Sequence, residues 1–343
     1  MTPPASDGPR PAGDRLGEFD RIDRFFRPLA AGNPASLGLT DDAALLALAP
    51  DRELVVTTDA LVEGVHFLPG DPPADVAVKA LGVNVSDLAA MAADPLGYTL
   101  ALAMPRGCDD AWLEAFAGGL AEAQRLFAIA LLGGDSVATP GPLVISVTAM
   151  GTVPKGRALR RGTARAGDAV FVTGTFGDAA LGLLVLQGRL DPGPAAAAEL
   201  ADRYRRPRPR LAAVPLLRAV ASAGLDVSDG LVADLGHLCA ASGLAAEIAM
   251  ERVPLSAAAR AAVGLRPDLR TLPLVGGDDY EIVFTADAAR EGEIAALARD
   301  AGVDVTRIGG MVEAGSAAGV RVLDPSGAPV PLAGRGWVHF QDG

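Results

Sequence analysis

The chain has 343 residues, half of them apolar and about a fifth charged, with a formal net charge of -12. That length suggests two domains, and the acidic balance argues against a nucleic-acid duplex or a membrane surface as partner, since both call for basic patches. The two cysteines, Cys108 and Cys239, lie far apart and outside any paired spacing, so neither a disulfide framework nor a zinc site is expected.

Residues 1–16 are rich in Pro, Gly, Ala and Asp and lack the apolar run of a signal peptide, so they read as a disordered tail. No stretch is apolar enough over about 18 residues to span a bilayer. A cytoplasmic location is the expectation. Phe19, Ile22, Phe25 and Phe26 recur at helical spacing and predict an amphipathic helix over Gly17–Leu29. A Gly/Pro loop, Thr40-Asp41-Asp42 and the apolar run Ala43–Leu48 follow. A strand is expected at Glu53–Thr58, ending at Asp59. Asp71-Pro72-Pro73 has the composition of a helix start with Asp as cap, which predicts a helix over Ala74–Ala92.

Strand Tyr98–Met104, helix Asp109–Phe127, strand Ala128–Leu132 running into Gly133-Gly134-Asp135, and strand Leu143–Val153 complete a first unit, residues 17–153. The basic, Gly-containing stretch Pro154–Gly167 opens a second unit, residues 154–343. Its expected elements begin with strand Ala169–Thr173, a Gly loop and helix Asp178–Gln187. A Pro/Ala connector (Asp191–Ala198) and the arginine-rich Arg203–Arg210 come next, then helices Leu211–Ala223 and Leu231–Ala241. Strands Glu281–Thr285, Val303–Ile308 and Gly319–Leu323 follow. Strands and helices mixed in this way predict an α/β (α+β) fold.

Aspartates recur beside these elements: Asp42, Asp59, Asp87, Asp135, Asp226, Asp229 and Asp278. One alone is commonly a turn or cap residue. Gathered at strand ends they would repel one another unless cations lay between them, and hard oxygen ligands suit Mg²⁺. Asn84 and Asp87, three apart, share a helix face, read either as an exposed stripe or as facing a site. The segment Val172–Asp178 is a strand, Gly loop and helix start without a Walker sequence; it reads as a packing turn or as a ligand loop. The run Arg203–Arg210, with five arginines and two prolines, reads as a solvated turn.

Several motifs occur in order: Gly17-Glu18-Phe19, Asp41-Asp42-Ala43, Thr57-Thr58-Asp59, Gly64-Val65-His66-Phe67, Asn84 to Met91, Gly133-Gly134-Asp135, Asp226-Val227-Ser228-Asp229-Gly230 and Gly276 to Glu281. Together, from Gly17 to Phe340, they resemble the thiamine-monophosphate kinase family, within the ATP-binding superfamily of aminoimidazole ribonucleotide synthetase.

The resemblance implies a two-domain fold whose N-terminal strands join a partner's into a barrel across a homodimer. It implies ATP, Mg²⁺ and thiamine monophosphate. Such an acceptor is a phosphate monoester with a second pKa of about 6, mostly ionised at neutral pH, so direct in-line transfer with no general base is expected. It implies Asp42, Thr57, Thr58, Asp59, Asp87, Asp135, Asp226 and Asp229 as the magnesium shell. Phe127, Gly134, Asp135, Arg161 and Ser228 become nucleotide contacts, and His66, Asp278 and Trp337 contacts to the acceptor. The chain departs from the family pattern at Thr40, where Gly is usual, and at Asp278, where Glu is usual. The rivals are another ATP-using enzyme or a metabolite-binding protein of the same superfamily. A selenophosphate synthetase would need a reactive Cys near the N-terminus, and the first here is Cys108. Trp337, between Gly336 and Val338, offers an indole face to the cationic thiazolium ring or else packs as a lid.

Overall fold

The structure, a computed structural model, describes residues 16–315, 319–332 and 334. The chain opens with a helical segment in three parts: α1 (Glu18–Arg21), a π turn at Ile22–Phe26, and α2 (Arg27–Ala30). The expected amphipathic helix is present, but the wide turn rotates its apolar stripe. Phe25 and Leu29 are buried while Phe19 is 79% exposed. The apolar run at 43–48 forms neither strand nor helix.

Strand β1 (Arg52–Val62) continues past Thr58, so Asp59 lies inside it and not at its end. Helix α3 (Pro73–Ala90) has the expected span to within two residues. Asp71 does not cap it: its carboxylate accepts from the Leu68 N–H at 2.8 Å and pairs with Arg205 at 2.7 Å. Strand β2 (Asp94–Pro105), helix α4 (Asp110–Phe127), strand β3 (Leu131–Thr139) and strand β4 (Val144–Pro154) complete the first unit. Ala128 ends α4 in the left-handed conformation instead of starting a strand. β3 therefore begins later than expected and runs through Gly133, Gly134 and Asp135.

The first sheet has the order β1-β4-β2-β3, with β2 and β3 parallel and the other pairs antiparallel. β4 alternates buried and half-buried residues along its whole length, the period of a sheet with two unlike faces. One face packs against α3, which also meets α4 and the second unit and is buried almost all round. Gly119 sets the α3–α4 approach, since a Cβ there would lie 2.3 Å from the Ala74 carbonyl oxygen. The other face is open. Leu54, Val56 and Val137 on it are 42%, 55% and 52% exposed.

The second unit contains β5 (Ala169–Thr173), α5 (Asp178–Leu186), α6 (Pro194–Arg205), α7 (Val214–Val220), β6 (Ala223–Val227), α8 (Leu231–Ser242) and β7 (Leu244–Ala249). α9 (Ala257–Leu265), α10 (Leu272–Val275), β8 (Glu281–Ala286), α11 (Glu291–Ala301), β9 (Val305–Glu313) and β10 (Val320–Leu323) follow. Among the described residues its strands form a six-stranded sheet in the order β10-β7-β9-β5-β8-β6. The helix expected over Leu211–Ala223 is a short 3₁₀ turn and α7, after which the chain becomes strand β6. Most of the Pro/Ala connector is the first half of α6.

The arginine run is no solvated turn. Arg203 and Arg210 both bond the fully buried Glu281. Arg205 reaches Asp71, Arg206 reaches Asp75 at 2.9 Å and also Glu122, and Arg208 pairs with Asp202. Asp71, Asp75 and Glu122 belong to the first unit, so this segment ties the two units together. The Gly loop at 174–177 is a packing turn: Asp279, buried beneath it, accepts from the N–H groups of Gly177 at 2.8 Å and Ala179 at 3.3 Å. The start of α5 thus has a carboxylate from its own chain on the donors that a phosphate would use.

Candidate functional site

Three elements from both units converge on one group of carboxylates. β1 brings Asp59, α3 brings Asp87 and the end of β6 brings Asp226. Thr57 and Asp59 point to the α3 side of the sheet, where Thr57 Oγ1 donates a short hydrogen bond to Asp87. Asn84, one turn before Asp87, accepts from the Asp59 N–H at 3.0 Å. The shared face of Asn84 and Asp87 therefore turns toward β1 and not to solvent.

Burial first, and the neighbouring Asp87 charge second, push the Asp59 carboxyl up from 3.8 to about 6. Asp226 is raised well above the ordinary range, by burial and then by Asp87, with Asp234 and Asp59 adding to it. Ionised together, these groups would gather like charge in a place sheltered from water.

Beside the cluster lies a cavity of about 1100 Å³. Asp59, His66, Ser228, Asp229 and Asp278 line it, so the structure brings these expected residues together. His66 is held by the Val62 N–H, which donates to its Nδ1 at 3.0 Å. Asp229, Asp234 and His237 place their ligand atoms within 4.8 Å of one another. Asp234 and His237 were not anticipated. Asp234 accepts from the N–H groups of Ser228 at 3.0 Å and Asp229 at 2.9 Å, which shapes the turn after β6. Burial raises the Asp234 carboxyl to about 7, and the charge of the exposed Arg161 nearby opposes the shift. Lys79, Tyr204 and Tyr280 also line the cavity and were missed.

Other expected residues lie elsewhere in the chain. Asp42, Gly134 and Asp135 line a separate cavity of about 360 Å³ against the N-terminal segment. β3 and β1 are opposite edges of the sheet, roughly 14 Å apart at three strand spacings. In register, Asp135 aligns through Ala101 and Ser146 with Ala60, the neighbour of Asp59, and so belongs to the other, open face. Thr58 is on that face too, where it accepts from Thr148 Oγ1 at 3.1 Å. A Cβ at Gly134 would lie 2.0 Å from the Leu100 carbonyl oxygen, so close strand packing already requires glycine there. Phe127 is buried in the first core, lines neither cavity, and packs near Gly82 of α3. Trp337 lies outside the described residues.

Residues 40–153 match the N-terminal domain, and residues 165–321 the C-terminal domain, of AIR synthase related protein. The thiamine-monophosphate kinase of Caulobacter vibrioides is 44% identical over 336 residues, which cover 97% of this chain and 94% of the relative. The chain belongs to the thiamine-monophosphate kinase family. Among solved structures of the family, that from Stenotrophomonas maltophilia K279a has a TM-score of 0.81 at 44% identity, covering 92% of this chain and 99% of the other. AaThiL complexed with AMPPCP and TMP has a TM-score of 0.76 at 33% identity, covering 95% and 97%. The two-domain α/β fold read from the sequence is that of the family.

The raised Asp59 carboxyl has a consequence for stability. Its value is about 6 folded against 3.8 as the ordinary reference, so folding favours the protonated form. Its stabilising contribution is complete below 3.8 and is lost as pH rises through 6. Without divalent cations at pH 7.5, Asp59→Asn should be more stable than the parent protein by about 2–3 kcal/mol in urea melts. The difference should shrink as pH falls from 7 toward 5. Equal or lower stability of the variant at pH 7.5 would contradict the electrostatic account.

Proposed function

We infer that this chain transfers the γ-phosphoryl group of ATP to thiamine monophosphate, giving thiamine diphosphate, with Mg²⁺ held by the carboxylate cluster. The observation that carries the reading is the large cavity, which is lined both by carboxylates, Asp59 and Asp229, and by apolar side chains, Leu183, Leu269 and Leu272. It occurs in a chain that aligns over nearly its whole length with a protein solved with AMPPCP and TMP. An acceptor with an anionic head and a heteroaromatic body suits such a cavity.

The donor set fits magnesium. Asp59, Asp87 and Asp226 offer only hard oxygens, and Asp59 and Asp226 carry raised carboxyls that a cation would return to the ionised form. Bound there, magnesium would neutralise the approaching phosphates and withdraw charge from the transferring group. Thr57 fixes the Asp87 carboxylate, and Asn84 anchors β1 to α3 beside Asp59. The acceptor phosphate has a second pKa of about 6 and is mostly ionised at neutral pH, so no side chain need take its proton. We assign Asp229 to the same shell, Ser228 and Arg161 to the nucleotide, and His66 and Asp278 to the acceptor. Phe127 we assign to packing. An ATP- and magnesium-supplied compartment, the cytoplasm, is the setting this reaction requires.

We further propose that the chain works as a homodimer. The open sheet face bears exposed Leu54, Val56 and Val137, and exposed Leu45 lies in the segment before β1. Sheet edges and apolar faces of this kind call for cover. A second copy packed on this face would close both four-stranded sheets into a barrel. It would also set the β3 edge of one copy, with Gly134 and Asp135, beside the β1 edge of the other, the strand that carries Asp59 on its α3-facing side.

Purified protein should release ADP with thiamine monophosphate and ATP, form thiamine diphosphate, and stop on chelation without unfolding. In the same assay Asp87→Asn should lower kcat by roughly 10²–10³ while remaining folded. Near-normal turnover of that variant would remove the cluster from the mechanism. Light scattering at micromolar concentration should give twice the chain mass; a monomer would overturn the dimer.

A further inference from the structure

Lys79 lies on α3 two turns before Asp87. Positions 79, 83 and 87 share a helix face, and Lys79 and Val83 line the large cavity. At 1.5 Å per residue, Lys79 and Asp87 stand about 12 Å apart along the helix. The Lys79 side chain is 2% exposed, pairs with Asp278 at 2.9 Å, and holds its ammonium group 3.8 Å from the centre of the Tyr204 ring. A lysine this deeply buried is rare. Stability gives little reason for the pair, because an ammonium taken out of water to meet a carboxylate that is itself 32% exposed is often no better than apolar packing.

The partner carboxylate is held in place by a strained turn. Asp278 has φ +71° and Tyr280 φ +51°, a region unfavourable for side-chain-bearing residues. The turn is fixed to the end of β6 by Asp278 N–H to the Ser228 carbonyl at 2.8 Å and Tyr280 N–H to the Val227 carbonyl at 2.9 Å. The Tyr280 hydroxyl lies 3.4 Å from Asp278, and the ring feels the charges of Asp226 and Asp59 as well. Tyr280 therefore stands between the carboxylate cluster and the Lys79–Asp278 pair. An ammonium has three N–H donors, and Asp278 accepts one of them. What the cavity receives is a donor and an acceptor side by side, on elements from both units, with Lys79 two helical turns along α3 from Asp87.

We propose that Lys79 and Asp278 together read the aminopyrimidine end of the acceptor, Lys79 donating to a ring nitrogen and Asp278 accepting from the exocyclic amine. This rests on thiamine monophosphate being the acceptor. That molecule carries its phosphate and its aminopyrimidine at opposite ends, so a phosphate at the carboxylate cluster directs the pyrimidine toward Lys79. An adjacent ring nitrogen and amine form the edge that a paired donor and acceptor complement. Lys79 is then a binding and specificity residue, not a structural cation.

The test compares thiamine monophosphate with its analogue bearing a 4′-oxo group in place of the amine. The parent enzyme should prefer the amine by roughly 10²-fold or more in kcat/KM. Lys79→Met should raise KM for thiamine monophosphate by about tenfold or more, leave KM for ATP nearly unchanged, and shrink the preference for the amine by about tenfold. Lys79→Gln, which keeps an N–H donor, should fall between the two. If Lys79→Met does not fold, Lys79→Gln carries the same comparison against the parent. A folded variant with unchanged acceptor KM, or with equal losses on both acceptors, overturns the proposal; equal losses would place Lys79 at the phosphate. A parent enzyme that forms no thiamine diphosphate overturns the acceptor itself.

Discussion

The mutual repulsion of Asp59, Asp87 and Asp226 is the constraint around which this molecule is arranged. Three carboxylates from β1, α3 and β6 are brought together where burial strips away the water that would screen them. A folded chain can bear this by protonating some of them or by admitting cations. The raised Asp59 and Asp226 carboxyls are the mark of the first solution, and phosphoryl-transfer chemistry uses the second. With cations held there, a chain of net charge -12 would have a place for polyphosphates.

Helix α3 makes the arrangement durable. It is buried almost all round, wedged between the first sheet, α4 and the second unit. Its interior is mostly Ala, Val and Leu, so its position is set by close packing, as at the Gly119–Ala74 contact. Few of its residues are charged, and two of these, Lys79 and Asp87, bracket the cavity face. The arginines of 203–210 fasten the second unit to the start of the same helix through Asp71 and Asp75. Domain docking and site assembly are thus one event: the contacts that close the interface also bring Asp226 and Asp278 to residues of α3.

Much of this was legible in the sequence because it is local. The strand expected at 143–153 and the helix expected at 74–92 lie close to β4 and α3, and the three-residue spacing of Asn84 and Asp87 put both on one helix face, which the structure turns toward β1. What is set by tertiary structure was not legible. Asp59 and Asp135 looked like strand-end residues because glycines and threonines beside them resemble turns, yet both lie within strands. The sheet order puts β3 at the edge opposite β1, so Asp135 and Asp42 fall away from Asp59 within one chain. β6 was hidden because its small residues continue the composition of α7. Lys79 gave no signal, since a helix lysine is ordinarily solvated, and its partner lies 199 positions away. The arginine run misled for the same reason: all its acidic partners but Asp202 come from distant segments.

The central claim is that the carboxylates of both units form a divalent-cation site. Counting Mn²⁺ bound in place of Mg²⁺ in the presence of a non-hydrolysable ATP analogue, by electron paramagnetic resonance, tests it most directly. The account predicts more than one ion bound per chain and the loss of at least one in folded Asp87→Asn and Asp226→Asn proteins. An unchanged number of bound ions in both variants would contradict it.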